Sequence, residues 1–230
     1  MRASEAMRAG EIDICGARLV VDPSGALWWP AERTLLVADL HFETGAAFAR
    51  RGMMVPPYDT RQTLGCLARV VARHAPARVI CLGDSFHDRR GAEGMPEDAV
   101  KALHAIMMRC DWLWITGNHD EASAAHLGGG TAEEERLGPL VLRHHPQPAP
   151  VAGEISGHLH PGAKIALDAR TVQLKCVAYD ATRAILPSFG ALAGGLNVRA
   201  RPFETLFDGL PHVMALGETR AYPVPRSRLV

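Results

Sequence analysis

The amino-acid sequence predicts an α/β protein, α+β by some schemes, whose C-terminal half builds a second β-sheet. Short runs of branched and aromatic residues each stop at a polar cluster, as buried strands that end in loops do. Apolar residues at helical spacing separate the first of these runs. After residue 138 that spacing fades and short strand-like segments take over. Together these observations predict β–α–β alternation followed by a second sheet.

The first half is predicted to alternate strands and helices. Residues 12–21 and 26–29 flank Asp22-Pro23-Ser24-Gly25, whose turn chemistry predicts an antiparallel hairpin. Helical periodicity predicts a helix over 59–74, with Asp59 or Thr60 as its cap and Pro76 as its stop. The same design recurs over 96–108. Apolar runs predict buried strands at 35–38, 78–82 and 112–116.

The second half is predicted to contain mostly strands. The glycines at 128–130 and the acidic run at 133–135 have the composition of an exposed loop. The residues at 223–228 are expected to form a frayed tail. Between these regions, strands are expected at 140–142, 163–167, 173–179 and 183–186.

Four polar clusters follow apolar runs, and they carry the residue types of a metal site. In open α/β sheets, ligands bind beyond the carboxyl ends of the strands, so residues far apart in sequence can meet there. Gly83 and Gly117 allow the backbone to turn sharply and to approach a ligand closely. The clusters are Ala38-Asp39-Leu40-His41, Gly83-Asp84-Ser85-Phe86-His87-Asp88, Gly117-Asn118-His119-Asp120 and Gly157-His158-Leu159-His160.

The candidate ligands form a mixed oxygen and nitrogen set without cysteine. Such a set suits manganese first in our prediction, with iron, zinc, cobalt or magnesium as alternatives. Seven ligands are too many for one tetrahedral zinc ion, but they suit two ions that share a carboxylate. Two metals about 3.5 to 4 Å apart can clamp a phosphoryl group and activate water at neutral pH. The predicted reaction is phosphoester hydrolysis.

At these residues the sequence resembles the calcineurin-like metallophosphoesterase superfamily, whose D-x-H, G-D, G-N-H-[DE], H and G-H-x-H motifs occur in order between residues 39 and 160. The resemblance implies a two-sheet β-sandwich flanked by helices, in a single domain over 1–230. It implies that two sets of three residues each hold one metal and that Asp84 bridges the two ions. The sets are Asp39, His41 and His160 for one ion, and Asn118, His144 and His158 for the other.

The resemblance also implies roles for residues that do not bind metal. His119 would face the substrate and protonate the leaving oxygen, and Asp120 would orient His119. Arg143-His144-His145-Pro146 offers two neighbouring histidines, whose side chains would point to opposite faces of a strand. The family's H-x-P pattern favours His144 as the ligand, which leaves His145 at the rim.

Finer features resemble the ligase-associated DNA damage response endonuclease PdeM family over nearly the whole chain. These features are the compact length, the Gly-Asp-x-x-His form of the second motif, and the segments 153–161 and 186–191. The resemblance implies a DNA substrate and ligase or helicase partners in repair. Two other functions stay open: hydrolysis of small nucleotide phosphodiesters or phosphomonoesters, and a noncatalytic role as a scaffold in a repair complex.

Several residues near the motifs have two possible roles. His87 and Asp88 either touch the site or cap the following turn. A set of arginines in the loops after the motifs could clamp phosphates or could simply be solvated surface. These arginines are Arg50, Arg51, Arg89 and Arg90.

Charge and cysteine content limit the possible functions. Lys plus Arg and Asp plus Glu each number 25, so the chain lacks the positive field of a protein that holds long nucleic acids unaided. Trp28 and Trp29 could stack on bases or pack under a sheet edge. Five widely spaced cysteines and the lack of a long apolar segment predict reduced thiols, no membrane span and a cytoplasmic location.

Overall fold

The computed structural model describes residues 10–53, 55–56, 58–88, 91, 93–117, 127–168 and 170–230. Within this part of the chain, one sheet contains seven strands, which lie side by side in chain order. Strands β1 to β4 are antiparallel to their neighbours, whereas β4 to β7 run parallel. The strands are β1 (Glu11–Ile14), β2 (Ala17–Val21), β3 (Leu27–Trp29), β4 (Thr34–Val37), β5 (Arg78–Leu82), β6 (Asp111–Ile115) and β7 (Gly130–Ala132).

The second sheet is built from the C-terminal half and is mixed. Among the described strands its order is β14-β11-β12-β13-β10-β9-β8, and β15 pairs with both β12 and β16. Strand β10 runs parallel to β9 and to β13, so the carboxyl ends of β9 and β10 lie side by side. The strands are β8 (Glu134–Leu137), β9 (Leu140–Arg143), β10 (Glu154–Ser156), β11 (Pro161–Leu167), β12 (Arg170–Tyr179), β13 (Arg183–Ile185), β14 (Leu196–Asn197), β15 (His212–Leu216) and β16 (Ala221–Val224).

The helices cover the outer faces of the two sheets. Leu35 and Val79 point towards α2 and α3, whereas Leu36 and Ile80 point towards the second sheet, as strand alternation requires. A third apolar cluster packs Phe203 of α4 against the far face of the second sheet. The helices are α1 (Thr44–Arg50), α2 (Asp59–His74), α3 (Glu97–Met107) and α4 (Arg201–Leu206). The predicted α/β class, with two sheets between helices, is confirmed.

The strands predicted at 35–38, 78–82 and 112–116 and the helices predicted over 59–74 and 96–108 are present, apart from the helix cap. The hairpin arm predicted over 12–21 is instead two antiparallel strands, β1 and β2, separated by a turn at Cys15 and Gly16. Helix α2 ends at Ala75, which has a left-handed φ of 43°, immediately before Pro76. Its N-cap is Tyr58, with no capping side chain, so the prediction of Asp59 or Thr60 as the cap was wrong. Both side chains instead accept hydrogen bonds from the segment after β4. Asp59 accepts from Gly45 N in the first turn of α1, and Thr60 accepts from Glu43 N.

Two other local predictions were wrong, because strand pairing, ion pairs and buried contacts order these segments. The acidic run at 133–135 lies mostly in β8, where Glu134 pairs with Arg143 at 2.9 Å and Glu135 with Arg78 at 2.8 Å. The C-terminal residues are not frayed. β16 pairs with β15, and Leu229 is buried beside Ile165.

The tryptophans of the first hairpin pack within the fold. Trp29 is buried between the sheets, and the Trp28 ring stacks on His74 with ring centroids 5.0 Å apart. In the part of the chain that the structure describes, no helix is long and apolar enough to cross a membrane.

Candidate metal centre

The candidate ligands lie at the carboxyl ends of strands from both sheets. Asp39 and His41 follow β4, and Asp84 follows the neighbouring parallel strand β5. In the second sheet, His144 follows β9, and His158 and His160 follow β10. Because the sheets face each other, these loops meet at one edge of the sandwich. Asn118, His119 and Asp120, the other predicted site residues, lie outside the described residues.

A first cluster consists of Asp39, His41 and His160. The Nε2 atoms of the two histidines lie 3.1 Å apart, and His160 Nε2 lies 3.3 Å from Asp39 Oδ1. The two rings are nearly perpendicular, with centroids 5.0 Å apart. Two ring nitrogens and a carboxylate oxygen therefore converge on one point.

A second cluster is centred on His144. Its Nε2 atom lies 3.3 Å from His158 Nδ1 and 3.4 Å from Asp84 Oδ2. Its Nδ1 atom lies 2.9 Å from the Leu82 carbonyl oxygen, to which it can donate. When His144 is neutral, this bond keeps its proton on Nδ1 and leaves the lone pair on Nε2, which faces Asp84 and His158. Unlike a solvated surface histidine, His144 is almost fully buried.

His145 lies closer to the second cluster than the sequence suggested. Its ring centroid is 4.0 Å from that of His158 and 4.6 Å from that of His144. Ring nitrogens of all three histidines lie within 4.8 Å of one another. The choice of His144 over His145 as a ligand therefore stays a prediction, although only His144 is fully buried.

The arrangement fits divalent metal ions. Asp39 Oδ1 is buried and accepts no hydrogen bond from the described residues, as an oxygen that binds a metal ion would. The donor atoms of Asp39, Asp84 and His144 also lie within 4.8 Å of one another, which places the carboxylates between the two histidine groups. Carboxylate oxygens and imidazole nitrogens are ligands of manganese, iron, zinc and cobalt.

The ligand loops have unusual backbone conformations. Five candidate ligands have left-handed φ values: Asp39 (53°), His41 (45°), Asp84 (46°), His158 (68°) and His160 (45°). This region is uncommon for residues other than glycine and costs about 1–3 kcal/mol per residue when the surroundings enforce it. Such strain concentrates at functional sites.

Hydrogen bonds between the loops hold these conformations. Asp39 N donates to Gly83 O at 3.1 Å, and His41 N donates to Asp84 O at 3.1 Å. Across the two sheets, His158 N donates to Asp39 Oδ2 at 3.0 Å. Gly157 allows this approach, because a Cβ atom there would lie only 2.5 Å from Asp39 Oδ2.

The histidines differ in their protonation. Burial lowers the pKa of His41 and that of His158 to about 4 each, although Asp39 partly offsets this effect. Both imidazoles are therefore neutral at neutral pH and keep a lone pair for a metal. Burial also lowers the pKa of His144, but the hydrogen bond to Asp84 and the charge of Asp39 outweigh it, so this pKa is raised.

The neighbouring polar residues divide between the site and the fold. The His87 ring lies 5.9 Å from that of His41, and its Nδ1 atom is 3.4 Å from Thr44 Oγ1, so His87 borders the first cluster. Asp88 forms an ion pair with Arg50, and Arg51 is exposed. Arg89 and Arg90 lie outside the described residues.

Sequence reasoning missed two supports of the first cluster. Thr60 donates to Glu43 Oε1 at 2.9 Å and holds the loop two residues after His41. Lys175 Nζ donates to the carbonyl oxygens of Ser188 and Gly190, at 2.8 and 2.7 Å. The bonding partners of both side chains are distant in sequence, so no local pattern marks them.

Comparisons with known proteins place this geometry in context. The family model for calcineurin-like phosphoesterases matches residues 32–165. The crystal structure of the Pseudomonas putida nuclease MPE superposes with a TM-score of 0.74 at 28% identity, covering 94% of this chain and 100% of that chain. A protein of unknown function from Aquifex aeolicus, AQ665, has a TM-score of 0.41 at 16% identity, covering 55% of this chain and 78% of that one. No curated protein sequence gives a significant match.

Proposed function

Because this chain belongs to the calcineurin-like phosphoesterase family, it is a metal-dependent phosphoesterase, and we propose that it hydrolyses phosphodiester bonds of DNA at a site for two divalent metal ions. The observation that carries the two-metal proposal is the pair of clusters with Asp39 and Asp84 between them. Two carboxylates buried among four histidines carry negative charge, and Asp39 Oδ1 accepts no hydrogen bond from the described residues. Two dications would balance it.

We propose the ligand assignment that the family resemblance implies, and the two clusters support it. Asp39, His41 and His160 would hold one ion, and His144 and His158 would hold the other, together with Asn118. Asp84 would bridge the two ions. Manganese is our first choice, with iron, zinc, cobalt and magnesium as alternatives. When bound, such ions supply Lewis acidity for the phosphate oxygens and lower the pKa of a water molecule.

The chain itself contributes orientation and protons. The bond from His144 Nδ1 to Leu82 O fixes one imidazole, and the bond from His158 N to Asp39 Oδ2 ties a loop of one sheet to a loop of the other. A charged imidazole can protonate a leaving oxygen if a carboxylate holds its orientation. We assign that role to His119, oriented by Asp120.

DNA as the substrate is supported by the likeness to a nuclease over nearly the full length of both chains. The resemblance to the ligase-associated endonuclease family is the basis for a separate proposal, that ligase or helicase enzymes of DNA repair are its partners in the cytoplasm. The equal numbers of acidic and basic residues favour a second candidate, a small nucleotide phosphodiester, since the chain has no overall positive charge to attract a polyanion.

The test is hydrolysis by the manganese-loaded protein, with Asp84→Asn as the control variant. The substrates are bis-p-nitrophenyl phosphate, p-nitrophenyl phosphate, cyclic nucleotides, and single- and double-stranded DNA. DNA cleavage that disappears in Asp84→Asn would support the proposal. Cleavage of a DNA substrate should weaken steeply with added salt, whereas hydrolysis of a mononucleotide should not. Turnover of small diesters alone would favour the second candidate, and no turnover at all would favour a scaffold.

A further inference from the structure

The segment after β13 lies directly against the loop that carries Asp39. Phe189 N donates to Ala38 O at 2.8 Å, and Gly190 N donates to Asp39 O at 3.1 Å. Ser188 Oγ donates to the same Asp39 carbonyl oxygen at 2.9 Å. Two donors thus fix the peptide group of a residue whose φ is 53°. We call residues 188–190 the Asp39 clamp.

Lys175 holds this clamp from behind. It lies on β12, and its ammonium donates to Ser188 O at 2.8 Å and to Gly190 O at 2.7 Å. Hydrogen bonds from a charged donor are roughly twice as strong as neutral ones. The clamp packs closely against the Asp39 loop, since a Cβ atom at Gly190 would lie only 2.4 Å from Leu40 O. The position of the clamp is therefore set on one side by Leu40 and on the other by Lys175.

We propose that Lys175 is a positioning residue for the metal centre: through Ser188 and Gly190 it holds the Asp39 carboxylate where a divalent ion needs it. This inference rests on the proposed two-metal site. No ligand atom touches Lys175 in the described structure; it acts only through backbone carbonyl groups. Groups that hydrogen-bond a metal ligand, as Ser188 and Gly190 bond Asp39, typically contribute about 10–100-fold to metal affinity or activity.

The direction in which metal affinity changes when Lys175 is replaced distinguishes a positioning role from a purely electrostatic one. The ammonium is close enough to Asp39 for the two charges to interact. If Lys175 acted only through its charge, removing it would remove a cation near a dication and tighten metal binding. If Lys175 acts by positioning Asp39, the same change weakens binding at the ion held by Asp39, His41 and His160.

The experiment compares Lys175→Met with Lys164→Met by titrating metal-free protein with Mn²⁺ and recording free Mn²⁺ by electron paramagnetic resonance. Lys164 lies exposed on the neighbouring strand β11, so this control makes the same chemical change away from the clamp. Ser188→Ala is measured in parallel, because it removes the bond to Asp39 O without altering Lys175. If circular dichroism shows that Lys175→Met does not fold, the metal affinity of Ser188→Ala is the measurement that tests the clamp.

We expect the wild type to bind two ions and Lys164→Met to bind each of them with the same affinity as the wild type. In Lys175→Met and Ser188→Ala, one of the two ions should bind at least about tenfold more weakly. The other ion should change by less than about twofold. Unchanged binding, tighter binding or an equal loss at both ions would overturn the role of Lys175. A wild type that binds fewer than two ions would instead contradict the two-metal proposal itself.

Discussion

Substitution of Gly157 by alanine should damage the metal centre while leaving most of the fold intact. A Cβ atom at this position would lie 2.5 Å from Asp39 Oδ2 and 2.9 Å from Ala38 Cβ, whereas ordinary contacts begin near 3.4 Å. The Asp39 carboxylate must therefore move by about 0.9 Å, since Gly157 has no positive φ and its backbone can accept alanine otherwise. Metal–ligand distances tolerate changes of only about 0.2 Å.

The expected result is at least about a tenfold loss of affinity for one Mn²⁺ ion, measured by titration of the metal-free protein. The free energy of unfolding without metal should fall by about 1–3 kcal/mol, the usual cost of overpacking, measured by urea denaturation. Gly194→Ala is the matched control, because a Cβ atom there meets nothing within 4 Å. If Gly157→Ala bound two ions as tightly as the wild type, Asp39 could not be a ligand at its observed position.

Three further changes have distinct expected outcomes. His119→Ala should keep both metals and lose turnover of substrates with poor leaving groups. Retained turnover, measured alongside metal content, would contradict the assignment of His119 as the acid. Arg183→Met should lower the free energy of unfolding, measured by urea denaturation, by about 3–5 kcal/mol, because Glu154 stays buried without the guanidinium 3.5 Å away. The control Arg136→Met, at an exposed arginine, should cost about 0.5 kcal/mol or less. Equal effects of the two changes would contradict this reasoning. Burial raises the pKa of Asp22, but hydrogen bonds from His74, Ser24 and Arg73 outweigh it and lower this pKa below 3.8. The stabilisation from Asp22 is thus fully present above pH 3.8 and is lost as the pH falls, so urea denaturation should show a larger cost of Asp22→Asn at pH 7 than at pH 3; a constant difference would refute this.

The sequence predicts those parts of the fold that depend on local periodicity. The runs at 35–38 and 78–82 are apolar on both faces because β4 and β5 are buried between helices and a second sheet, so any reading of their composition finds strands there. The prediction of these strands also allowed the ligand motifs to be placed at one edge of the sheet. Each follows a strand, and the carboxyl ends of neighbouring parallel strands coincide.

Features that depend on partners far along the chain could not be predicted. The acidic run at 133–135 has the composition of a loop. Ion pairs with Arg143 and Arg78 stabilise it within a strand. Asp59 and Thr60 are typical helix-capping residues, but the loop after β4 competes for their oxygen atoms. Lys175 resembles any lysine on a half-exposed strand, since its partners are carbonyl groups that carry no side-chain signature.

The position of the metal centre at the boundary between the two sheets couples metal binding to the packing of the sandwich. One sheet supplies Asp39, His41 and Asp84, and the other supplies His144, His158 and His160. Hydrogen bonds cross this boundary at the site, among them those from His144 to Leu82 O and from His158 N to Asp39 Oδ2. The apolar core between the sheets sets their separation and hence the distances between the two ligand groups. Conversely, an ion that takes ligands from both sheets joins them, so its binding free energy adds to the stability of the folded sandwich.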